Sequence, residues 1–139
     1  MNIRSFKALC LKLNACSAAM RWLDRFDDEA HVFDAFNELR LFDAFWFHWF
    51  IYRLDSHTYE YRLRRMRSEY NELVSKITTS RIEMNADLDA IMAGSPVNLD
   101  RWEARVRRWE AENDQYWREF KKEVAFDLAQ WLDFLERYY

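Results

Sequence analysis

Leu41 to Tyr52 reads LFDAFWFHWFIY, and only Asp43 and His48 in it are polar. On a helix its Phe, Trp and Tyr side chains point in nearly every direction. A helix that is apolar all round is buried in a core or in a membrane. This run is a dozen residues, whereas a membrane span needs roughly 20. The stretch therefore predicts a central core helix that other helices wrap.

The flanking sequence extends that reading. A chain of 139 residues is one domain by size and can bury a real core. One Gly and one Pro leave little turn chemistry, which disfavours hairpin-rich sheets and favours a few long helices. Phe6, Leu9, Leu13, Cys16, Met20 and Leu23 step by three and four, so one helix is expected over 3–25, capped by Asn2 or Ser5. Asp27 and Asp28 fit the cap and acidic first turn of a second helix over 29–54. Asp43 falls on its aromatic side, as a carboxylate that needs a partner once buried.

Asp55-Ser56-His57-Thr58 are weak helix formers and predict a break. A heptad of Tyr59, Leu63, Met66, Tyr70, Leu73 and Ile77 then opens a third helix over 59–92, roughly 50 Å long. Gly94-Ser95-Pro96 reads as a boundary, with Gly past one helix, Ser capping the next and Pro in its first turn. The fourth helix, 98–137, carries a stripe from Leu99 through Trp109, Phe120, Val124 and Trp131 to Leu135. Asn113 interrupts it as a lone polar, register-setting residue. The third and fourth helices predict a long antiparallel hairpin. The first two complete an all-α four-helix bundle in a single domain, 1–139.

No motif fixes a chemistry. With Gly94 alone, phosphate and dinucleotide loops are excluded. Cys10 and Cys16 lie about 9 Å apart along a helix, too far for a disulfide, and as free thiols they suggest a reducing, cytoplasmic setting. Two cysteines build no thiolate cage. A di-iron bundle needs two ExxH motifs, and only Asp28-Glu29-Ala30-His31 comes near. We therefore expect no catalytic residue, no metal and no cofactor. His48 reads as a satisfied histidine on a narrow polar strip.

Binding is left. Net charge is −3, but Asp24, Asp27, Asp28, Glu29, Asp34 and Glu38 crowd one segment. A one-signed patch steers an opposite-signed partner, so the expected partner is a protein with a basic surface, such as part of a nucleic-acid-processing complex. Phe126 sits opposite the apolar stripe of the last helix and suggests a homodimer or a tight hetero-partner. The alternative is nucleic-acid binding through Arg62, Arg64, Arg65 and Arg67 with Tyr59, Tyr61 and Tyr70. Against it, Glu69 and Glu72 lace the same helix as i,i+3 and i,i+4 partners. Interfacial membrane helices pair an apolar face with a basic one, which Leu41–Tyr52 lacks, and no transmembrane segment is expected. Size and aromatic wealth place the chain, by analogy, among small inhibitor, immunity or adaptor proteins of the phage or mobile-element type.

Overall fold

The computed structural model of this chain describes residues 1–54 and 60–138. Among these the protein is all-α. It consists of helices α1 (Ile3–Lys12), α2 (Ser17–Leu23), α3 (Val32–Glu38), α4 (Ala44–Arg53), α5 (Glu60–Met92) and α6 (Leu99–Tyr138), with a 3-10 turn at Leu41–Asp43. The expected break at Asp55–Thr58, and Tyr59, lie outside the described residues.

The two long helices match their expected spans to within a residue where described. The first two expected helices are each divided. The stripe over 3–25 is cut after Lys12, because Asn14 turns left-handed at φ 61°. Its N–H donates to the Leu11 carbonyl at 3.1 Å and that of Ala15 to the Cys10 carbonyl at 2.9 Å. This is a Schellman cap, with Asn as the residue past the helix end. Asn tolerates that conformation because its short polar side chain bonds locally. The stripe resumes in α2, so its period alone conceals the cut.

The expected helix over 29–54 begins late and breaks once. Asp27 and Asp28 do not cap it: the Asp27 side chain accepts the Glu29 N–H at 2.8 Å in a turn, and the imidazole of His31 caps α3 by accepting from the Phe33 N–H. At Leu39 and Arg40 the backbone is extended. A straight helix turns only one stripe inward. The break lets Val32, Ala35, Phe36 and Leu39 be buried in one direction and Ala44, Phe47, Phe50 and Ile51 in another. Asp43 sits half-buried in the 3-10 turn. Before α6, Asn98 and not Ser95 supplies the cap, accepting the Arg101 N–H at 3.0 Å.

The chain divides into two compact units, Met1–Arg67 with Val124–Tyr139, and Ser68–Glu123. In the first, Phe50 meets Phe6 edge-on at 4.9 Å and Trp131 at 5.1 Å, and Phe47 lies 5.2 Å from Phe36. In the second, Arg105 pairs with Asp87 at 2.7 Å, Ser80 donates to Glu112 at 3.1 Å, and Tyr70 lies 5.9 Å from Phe120. Asn113 is buried there, its Oδ1 without a hydrogen-bond partner among the described residues.

Candidate functional site

The aromatic stretch is half core and half surface. Ala44, Phe47, Phe50 and Ile51 are buried. On the other side Phe42 is 89% exposed, Phe45 54% and Tyr52 43%, with His48 exposed and Leu41 and Trp49 partly so. At about 100° per residue, Phe45, His48, Trp49 and Tyr52 fall on one face of α4, and Leu41 and Phe42 precede it in the 3-10 turn. A helix wrapped on all sides was expected. Instead the neighbours of α4 cover one side, and no described residue buries the other. Tyr52 is held at the end of the face: its ring lies 4.5 Å from that of His48, and the Arg67 guanidinium stands 4.6 Å over it. Trp46 marks the margin, half-buried between Trp22 at 5.7 Å and Phe45 at 5.6 Å.

Behind this face lies an apolar cleft of about 90 Å³, lined by Phe6, Cys10, Trp22, Trp46, Trp49 and others. Its one reactive atom type is the Cys10 sulfur. Burial pushes that thiol up to about 12, so it stays protonated and is no nucleophile at neutral pH.

The acidic segment is divided in two by the fold. Lys7 Nζ lies 2.9 Å from Asp24 and 3.0 Å from Asp28, and those hydrogen bonds, Asp24 first, raise the Lys7 pKa. Arg4 reaches Glu29 at 2.7 Å. Cations of α1 thus balance Asp24, Asp28 and Glu29, and Asp27 is spent on its turn. Asp34 and Glu38 are exposed on α3, a few residues before Phe42, with exposed Arg40 between Glu38 and Phe42. Phe126 is 67% exposed, with the Arg62 guanidinium 5.4 Å over its ring.

The arginine cluster has internal work. Arg62 and Arg65 lie 3.2 and 3.3 Å from the carboxylate of Asp127, which is buried. Arg67 donates twice to the Ile51 carbonyl, at 3.0 and 2.8 Å, satisfying an end carbonyl of α4. Arg64 is exposed and makes a contact of its own. Sequence reasoning missed Asp127. The signal was there: it is an acid inside the Val124–Leu128–Trp131 stripe, and a buried charge needs a partner. Among the described residues no three His, Cys, Asp or Glu side chains are grouped to hold a metal ion, and no helix is long and apolar enough to cross a membrane.

No protein-family model, curated protein or solved structure matches this chain.

Proposed function

We propose that this protein is non-catalytic and acts by binding another protein through the outward face of α4. The observation that carries this is the exposed aromatic run of Phe42, 89% exposed in the 3-10 turn, and Phe45 and Tyr52 on the outward face of α4 that follows it. Single exposed apolar residues are ordinary, but a contiguous exposed patch marks an interaction surface. Tyr, Trp and Phe are also the residues that anchor interfaces. Asp34 and Glu38, the acids that α1 does not neutralise, stand just before the face and favour a partner with a basic surface. An inhibitor, immunity or adaptor role fits such a surface.

The finer architecture belongs to the same proposal. We read the Ser68–Glu123 unit as an antiparallel hairpin, because its contacting pairs, Asp87 with Arg105, Ser80 with Glu112 and Tyr70 with Phe120, step away from the turn together. The other unit supplies the bundle on which α4 is mounted.

The test is capture from an extract of the source cell by the wild-type chain and by Phe42→Ser/Phe45→Ser. The wild type is expected to retain a protein that the double variant loses, while the two melt within a degree or two of each other. Identical captures would remove the reading.

A further inference from the structure

The outward face of α4 has a direction. Phe45, His48, Trp49 and Tyr52 line it over an arc of about 100°, with Leu41 and Phe42 in the 3-10 turn before it. Acids outnumber cations at its start, with Glu38 exposed at the end of α3 and Asp43 half-buried in the 3-10 turn against exposed Arg40 between them. Cations stand at its end, Arg53 exposed on α4 and Arg67 with its guanidinium over the Tyr52 ring. A second such face running the opposite way brings the acidic start of each copy to the basic end of the other. The two helix dipoles then oppose as well. Run parallel, the faces would set Glu38 on Glu38 and Arg53 on Arg53. The surface is thus complementary to itself under a two-fold axis, as an isologous dimer requires.

We propose that α4 pairs antiparallel with α4 of a second copy of this chain, about a two-fold axis beside His48. Phe45 of each copy then meets Tyr52 of the other, and Trp49 packs across the axis. The areas set the size of the interface. Exposures of 89, 54 and 43% for Phe42, Phe45 and Tyr52, on side chains of about 200 Å² each, leave on the order of 370 Å² of aromatic surface per copy. A standard interface takes about 800 Å² per partner. Leu41, His48, Trp49 and Arg53 make up part of that difference, so the interface is at the small end and the pair is a weak one. This face is also the one assigned to the protein partner, but self-pairing rests on its own charge order and is tested with the purified chain alone. Failure here leaves partner capture untouched, and the reverse holds.

The experiment is sedimentation of the purified chain from about 1 to about 200 micromolar, the range in which a weak pair forms, with cross-linking through one introduced surface cysteine in a Cys16→Ser background, where the remaining native thiol, Cys10, is buried. Wild type is expected to pass from monomer to dimer across the range. Phe45→Glu should stay monomeric throughout, with a melting temperature at low concentration unchanged to within a degree or two. Near the axis, the His48→Cys variant should cross-link readily to its own copy. The Phe42→Cys variant should not, because an antiparallel pair separates position 42 from its copy by roughly 20 Å along the helix axis, at 1.5 Å per residue. A monomer at the highest concentration, a dimer indifferent to Phe45→Glu, or equal self-cross-linking at both positions overturns the proposal.

Discussion

Two single residues in α1 and the turn after it carry constraints that their neighbours do not. Asn14 holds the left-handed position of the Schellman cap, where a side chain branched at Cβ is strained by roughly 1–2 kcal/mol. Asn14→Val is expected to lose about that much stability in denaturant unfolding and Asn14→Gly to lose less than about 0.5 kcal/mol. Equal losses would mean that the cap does not depend on the backbone at this position. Cys10 is the second. Its buried thiol is raised to about 12 from an ordinary 9.0. The unfolded chain therefore releases this proton at lower pH than the native one. Cys10 contributes stability that is intact below about pH 9 and lost as the pH climbs toward 12. A Cys10→Ala variant should show a shallower alkaline decline than wild type. In native protein an alkylating reagent should modify exposed Cys16 and spare Cys10 until the chain unfolds. Modification of both at one rate would show that the cleft opens freely.

At the scale of the element, α4 has two faces that substitutions should separate. Phe50 is buried against Phe6 and Trp131, so Phe50→Ala is expected to cost about 3–5 kcal/mol, as large aromatic deletions in cores do. Phe45→Ala, on the outward face, is expected to change stability by less than about 0.5 kcal/mol, as surface substitutions do. Comparable losses at both sites, read from urea midpoints at constant slope, would mean that both faces are core. The sequence marked this stretch but not its orientation. Its apolar residues run all the way round, so their period holds no information about which side the other helices cover. The same blindness affected the helix breaks. Residue periodicity passes through Asn14 and through Leu39–Arg40 unchanged, and neither place has the Gly or Pro that announces a boundary. Where Gly94 and Pro96 stand between α5 and α6, the boundary was legible. Asp127 was legible in principle too, as an acid on an apolar stripe, but its arginine partners lie more than sixty residues earlier on another helix and no local spacing joins them.

At the scale of the whole molecule, what matters is which charges remain to act at a distance. The sequence offered six acids between Asp24 and Glu38, and counting them alone suggested one negative patch. The fold returns Lys7 to Asp24 and Asp28, and Arg4 to Glu29. That subtraction is invisible along the chain, because the cations sit about twenty residues upstream. Asp34 and Glu38 are left to shape the field beside the aromatic face. Exposed charges of this kind act on the rate of encounter more than on the strength of the final contact, and salt screens them over about 8–10 Å. A variant Asp34→Lys/Glu38→Lys leaves the ion pairs with α1 intact, which a reversal at Asp24 would not. With the partner recovered through the α4 face, it should associate more slowly than wild type, show a flatter dependence on salt, and dissociate at nearly the wild-type rate. Its melting temperature should stay within a degree or two, since neither side chain is buried. An association rate indifferent to the reversal would confine recognition to the aromatic face and remove the basic surface from the description of the partner.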